Sequence, residues 1–189
     1  GHEAYARQFY YPREGIGQIF EYMAEKIKEK KGMIYLNSEA VNIFTENDKI
    51  KGVTFLQDNH TNYIDCDCLI SSIPLSELAS IVGAGGHSRL LTDINKLKFR
   101  SVRFLNILID MPQIGSNTWT YVPEKEYLMT RIQEPKLRSP FNAPQDKTSL
   151  ILEIPCNFRD SIWNATDEQI YQRSIGGLSS LGIDIKSKV

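Results

Sequence analysis

No stretch of this 189-residue chain approaches the run of about 18 apolar residues that a bilayer-spanning helix needs, so nothing in it reads as a transmembrane segment. An excess of either charge is also lacking. Its 22 lysines and arginines stand against 23 aspartates and glutamates, which removes the electrostatic case for nucleic acid or an anionic membrane surface as main partner. Cysteine is scarce: Cys66, Cys68 and Cys156, irregularly spaced, make no disulfide framework, and a reducing, cytoplasmic compartment is the simpler reading. The acceptor patterns Asn59-His60-Thr61 and Asn164-Ala165-Thr166 have no secretory feature to support them. Cys66 and Cys68 lack a second ligand pair, so no metal site is expected. His60 and His87 have no visible carboxylate or hydroxyl partner, and no Gly-x-Ser-x-Gly elbow is present, so no catalytic side chain is assigned. Missing too is the strand, Gly-x-Gly-x-x-Gly and helix sequence that cradles a dinucleotide pyrophosphate.

What is present is ordinary for a globular protein, with 41% hydrophobic and 24% charged residues, and is enough for one domain or two small ones. Gly1-His2 reads as the scar of a removed tag and is left out of the fold argument. Ile16, Ile19, Phe20, Met23, Ala24 and Ile27 recur at three- and four-residue intervals and predict an amphipathic helix. A turn built on Pro12, Gly15 and Gly17 precedes it, and Lys30-Lys31-Gly32 stops it. Extended runs follow at 33–36 and 40–44, an Asn47-Asp48 turn, then alternating segments at 49–55 and 62–67. Residues 68–74 read as a buried strand whose final proline, Pro74, opens a helix at Leu75.

Beyond it, Val82 to Gly86 predicts a loop, and 88–97 a helix with Ser88 near its N-cap and Leu90, Leu91, Ile94 and Leu97 inward. From Ser101 the period changes to two. Val102, Phe104, Asn106, Leu108 and Asp110 alternate with Arg103, Leu105, Ile107 and Ile109 in a long strand, and further strands are expected at 118–122, 127–133 and 148–154, together an antiparallel sheet of about four. Thr166 to Gln169 is a capping box opening a helix with Ile170, Ser174, Leu178 and Leu181 on its inner side, ended by Gly182. Gly176-Gly177 within that helix points to close packing.

Tyr11-Pro12-x-x-Gly15-x-Gly17 before a helix, Ala40 to Ile43 as a strand, and Ile70-Ser71-x-Ile73-Pro74 returning the chain occur in an order that resembles the middle of the FAD-dependent amine oxidase and protoporphyrinogen oxidase superfamily. The usual valine of the strand is Ala40 here, which a contact made through the backbone tolerates. The resemblance implies an α+β chain: part of a Rossmann-like FAD-binding domain over 3–80, then an antiparallel-sheet substrate domain with covering helices over 81–189. It implies FAD as cofactor, with Ala40, Ser71 and Pro74 contributing contacts. Because the pyrophosphate loop is missing and the chain stops just after a helix, it is read as an internal fragment of a flavoenzyme that by itself does not retain FAD and is inactive.

Trp119-x-Tyr121-x-Pro123-Glu124, then Arg131, then Ser139-Pro140-Phe141-Asn142 and Leu152-Glu153 are similar to the substrate domain of eukaryotic-type UDP-galactopyranose mutases. That similarity implies contacts from Tyr121 and Arg131 to the diphosphate of a nucleotide sugar, and a non-redox use of the flavin; another substrate would imply hydride or electron transfer. Arg138 stands where the family has a further tyrosine and is a third candidate for the substrate, though the exchange weakens the case for UDP-galactose. Read without a ligand, Arg131 would be a strand arginine paired with Glu124 or Glu134, and the aromatic residues cross-strand packing. The alternative to a flavoenzyme is a free-standing α+β binding module without cofactor.

Overall fold

Two antiparallel sheets organise the chain in the computed structural model, which describes residues 9–82, 92–94 and 96–189. They belong to two separate units: Ile27–Phe99, and the described residues up to Lys26 together with Arg100–Val189. The sheets fall on either side of the boundary expected at 80/81, while the chain crosses between units inside its first helix and again at Phe99/Arg100.

In the Ile27–Phe99 unit, strands β1 (Ser38–Glu46), β2 (Lys49–Gln57) and β3 (His60–Asp65) form a meander in that order. Both connections are two-residue turns, and all four turn residues, Asn47, Asp48, Asp58 and Asn59, have φ between 50° and 61°. Paired positive φ values twist the turn to match the strands, and Asn and Asp tolerate them best after glycine. Ile43 and Phe55 are the buried centre, with Tyr35 packed 5.1 Å from the Phe55 ring. Gly52 admits no side chain: a Cβ there would come within 2.3 Å of the Tyr63 hydroxyl, which crosses it to donate to the Lys51 carbonyl at 3.2 Å. Helix α2 (Leu75–Ile81) starts after Pro74, as expected, and packs against β1.

Two expected strands are absent from this unit. Residues 33–36 join no ladder; side chains take over, Ser38 Oγ and Gln57 Nε2 donating to the Leu36 carbonyl at 3.0 and 3.1 Å. Residues 68–74 are likewise not a strand, and Ile70 is 94% exposed. An apolar run becomes a central strand only where neighbours supply hydrogen bonds on both sides, and no described strand of the unit pairs with it. The glycine loop after Val82 and most of the helix expected over 88–97 lie outside the described residues; within it, 92–94 is helical and Ile94 is buried.

The other unit contains the start of helix α1 (Gly17–Glu29), whose apolar stripe is present but not buried: Ile16, Phe20 and Met23 are all more than half exposed. Its sheet runs β4 (Ser101–Ile109), β7 (Thr148–Cys156), β6 (Arg131–Gln133) and β5 (Trp119–Tyr121), every neighbouring pair antiparallel. β5 and β6 are shorter than the sequence suggests because residues 123–130 turn between them, closed by Val122 N–H donating to the Thr130 carbonyl at 2.9 Å. Alternation decides the faces. Thr148, Leu150, Leu152, Ile154 and Cys156 of β7 are buried with Ile107, Ile109 and Ile132 beneath helix α3 (Asp167–Ser180).

The capping box is formed as read, Gln169 N–H to Thr166 Oγ1 at 3.2 Å and Thr166 N–H to Gln169 Oε1 at 2.9 Å. Ile170, Ser174, Ile175 and Leu178 are the buried side of α3. Leu181, expected with them, is more than a third exposed because the helix has already ended: Gly182 takes φ +80° and Ile183 N–H returns to the Leu178 carbonyl at 2.9 Å.

Candidate functional site

Opposite α3 the sheet presents a second, partly exposed face. Side chains of equal parity along β5, β6 and β7 project there: Trp119 and Tyr121, Arg131 and Gln133, and Glu153. The register sets Trp119 opposite Gln133, Tyr121 opposite Arg131, and Arg131 opposite Glu153. A hydrogen-bonded line results. The Arg131 guanidinium donates to Glu153 Oε1, Gln133 Nε2 donates to the same oxygen, and Gln133 Oε1 accepts from Arg138. The sequence-level pairing of Arg131 with Glu124 or Glu134 is therefore corrected to Glu153, its register partner on the adjacent strand. Glu134 is buried elsewhere, accepting from the amides of Ile114 and Gly115 at 3.0 and 3.1 Å and from Thr148 Oγ1 at 2.8 Å.

Arg138 reaches this face by a detour. After β6 a short helical turn, Pro135–Leu137, reverses the chain, and the Arg138 guanidinium carbon comes 5.8 Å from the Trp119 ring centroid and 6.0 Å from that of Tyr11. A second turn, Pro140–Asn142, begins at Ser139, whose hydroxyl donates to the Arg13 carbonyl while Arg13 stacks 3.8 Å over Phe141. Two motifs more than a hundred residues apart in sequence, the Tyr11-Pro12 turn and Ser139-Pro140-Phe141-Asn142, thus meet. Phe9 adds a ring 6.1 Å from Trp119.

Electrostatically, one carboxylate stands among two guanidiniums, leaving the face cationic. The hydrogen bond it donates to Glu153 holds the Arg131 guanidinium even more firmly protonated than an ordinary arginine. Tyr121 packs beneath it, ring centroid 5.8 Å from the guanidinium carbon. Arg131 Nε is buried and has no hydrogen-bond partner among the described residues. Forked donors of fixed charge beside a phenol and an indole suit a phosphate or carboxylate borne by a flat or sugar-like group. Tyr121, Arg131 and Arg138 are brought together by the sheet. Gln133 and Glu153 complete them and carry no role from the sequence alone; for Glu153 the available signal was its place in the Leu152-Glu153 motif and its parity opposite to the buried positions of β7, for Gln133 its i, i+2 spacing from Arg131.

The residues expected near a cofactor lie in the Ile27–Phe99 unit. Ala40, half-buried, sits on β1, the edge strand of the meander. The register slips between Ala40 and Asn42, leaving Val41 as a bulge. Ser71 and Pro74 are exposed on the stretch leading into α2. His60 is exposed, its Nδ1 2.8 Å from the Asp58 carbonyl oxygen, and among the described residues no cluster of metal-ligating side chains occurs. No described helix is long and apolar enough to cross a membrane.

The family model described as flavin containing amine oxidoreductase matches residues 1–185. Among solved structures, a reduced UDP-galactopyranose mutase is similar over 95% of this chain and 38% of its own, with a TM-score of 0.74 and 21% identity. An oxidoreductase from Methanosarcina mazei is similar over 94% of this chain and 40% of its own, TM-score 0.69, 19% identity. A putative protoporphyrinogen oxidase from Exiguobacterium sp. 255-15 is similar over 91% and 36%, TM-score 0.66, 18% identity. These likenesses establish the α+β fold. No curated protein matches the chain.

Proposed function

Because the chain belongs to the flavin containing amine oxidoreductase family, we propose that it is part of an FAD-dependent enzyme whose sheet face of Tyr121 and Arg131 binds a nucleotide sugar through its diphosphate. Tyr121, Arg131 and Arg138 are the substrate contacts in this reading. The observation that carries it is the convergence of two guanidiniums on one aromatic-walled face.

The Ile27–Phe99 unit suits FAD at one of its three expected contacts on structural grounds. β1 is a sheet edge, so its outward amides and carbonyls are available, and the Val41 bulge leaves further backbone unpaired next to Ala40, whose small side chain does not obstruct a contact made through the main chain. Ser71 and Pro74 would join it from the stretch opening α2, the helix that packs against β1. Bound there, the flavin would supply the reactive centre; the residues of this chain bind and orient. The unpaired thiols Cys66, Cys68 and Cys156 accord with a cytoplasmic enzyme.

The test is a UDP titration of the full-length, flavin-loaded gene product. Binding by the native protein, weakened at least tenfold in Arg131→Ala with flavin absorbance intact, is the expected result; a tenfold loss corresponds to about 1.4 kcal/mol. Absence of UDP binding would remove the nucleotide sugar and leave the flavoenzyme. A colourless full-length product that takes up no FAD would favour the cofactor-free binding module.

A further inference from the structure

We propose that Gln133 is a positioning residue that couples Arg138 to the Arg131 and Glu153 pair, so that the two arginines act as one grip on a ligand diphosphate. The inference rests on the nucleotide-sugar reading and adds to it the element that sets the grip's geometry.

Gln133 is only 7% exposed, yet both ends of its amide are committed, the oxygen to Arg138 and the nitrogen to Glu153. An amide satisfies a cation on one side and a carboxylate on the other in one orientation only, since the reverse would set NH2 against guanidinium and carbonyl against carboxylate. Its direction is thereby locked from both sides. Arg138 lies on an irregular turn after Pro135–Leu137, with no strand to aim it; among the described residues, Gln133 and the faces of Trp119 and Tyr11 locate its charge. Arg131, by contrast, is fixed by β6 and by Glu153. Gln133 thus ties the sheet's register to the loop arginine by a hydrogen bond, where Trp119 of β5 offers it only a ring face. Glu153 Oε1 accepts from both Arg131 and Gln133, which makes the four groups a single connected line. A ligand carrying two adjacent phosphoryl groups matches two guanidiniums held on one such line, because each can meet its own anion without either arginine being reordered.

The experiment is a double-mutant cycle read by calorimetric titration of inorganic pyrophosphate, and in parallel of UDP, into the full-length flavin-loaded protein. Gln133→Met keeps the volume and removes both hydrogen bonds; Arg138→Gln removes the second guanidinium. Each single variant should weaken binding about tenfold, the worth of one hydrogen bond to a charged group. The double variant should bind within about threefold of Arg138→Gln alone, because Gln133 acts through Arg138. A residue that merely packs would give additive losses of about a hundredfold in the double variant, and that result overturns the proposal, as does Gln133→Met binding within twofold of the native protein. Should Gln133→Met fail to fold, by circular dichroism and flavin content, Gln133→Asn replaces it: the shorter amide cannot span Arg138 and Glu153 together, and the same cycle applies. Native protein that binds neither probe sinks the nucleotide-sugar reading and this inference with it, whereas native binding with an additive cycle sinks this inference alone.

Discussion

Tyr121 and Arg131 are register partners across β5 and β6, and the guanidinium lies 5.8 Å from the centre of the phenol ring. Ring and hydroxyl do different work in such a pair. The ring is a platform for the cation, worth about 0.5–2 kcal/mol, and the hydroxyl is a neutral donor that a diphosphate can use for about 0.5–1.5 kcal/mol. Tyr121→Phe keeps the platform and should weaken UDP binding to the full-length protein by about three- to tenfold, while Tyr121→Ala should lose about ten- to a hundredfold. Equal affinities for the two variants would mean that the hydroxyl carries the whole contact and the ring none.

Arg103 does for the back of the sheet what Glu153 does for the front. From β4 its guanidinium donates to the carbonyls of Ile162 and Ala165 and, at 2.7 Å, to the carboxylate of Asp167 in the first turn of α3. It ties the loop before α3, and with it the helix start, to the edge strand. Arg103→Met preserves the aliphatic stem but strands those carbonyls, and should cost about 1.5–3 kcal/mol in urea denaturation of the chain. Asp167→Asn, removing only an exposed ionic partner, should cost less than about 1 kcal/mol. The reverse ranking would show that the ion pair, not the carbonyl clamp, does the fastening.

The adjacent glycines of α3 separate two effects that sequence cannot. A Cβ on Gly176 meets nothing within 4 Å, so Gly176→Ala should stabilise by about 0.5–1 kcal/mol through helix propensity alone. A Cβ on Gly177 would stand 3.1 Å from Tyr127 Cδ1, and Tyr127 is packed against the core. Gly177→Ala should therefore fall below Gly176→Ala by about 1 kcal/mol or more in thermal denaturation, the strain of overpacking offsetting the propensity gain. Equal stabilisation by both would mean the tyrosine ring gives way freely.

What could be read beforehand tracks where a residue's local pattern also decides its surroundings. The capping box at Thr166, the helix stop at Gly182 and the alternation of β4 are complete within a few residues, and the structure reproduces them. Residues 68–74 carry a strand's composition, but a strand is a relation between segments, and no described partner pairs with them. α1 likewise has the periodicity of a helix that buries one face and buries none. At the site, Tyr121, Arg131 and Arg138 were nameable from motifs. Their connection through Gln133 and Glu153 was not, because it depends on the register between β6 and β7, which no local pattern encodes.

Asp160 gives the chain a defined response to acid. Its carboxylate accepts the backbone N–H groups of Asn157 at 2.7 Å, Trp163 at 2.8 Å and Ile162 at 2.9 Å, and so gathers the turn that carries the chain from β7 toward α3. Those amides, that of Asn157 foremost, hold the carboxyl below the ordinary aspartate value of 3.8, although partial burial opposes them. A group whose pKa is depressed by folding contributes stability that is fully present above its unfolded value and is lost as pH falls through the folded one. Asp160→Asn removes that ionisation, so its melting temperature should lie below that of the native chain at pH 7, and the gap should narrow as pH drops below about 3.8. Melting curves of both proteins from pH 2.5 to 7 measure it; a gap that stays constant across that range would show that the side chain acts by shape and not by charge.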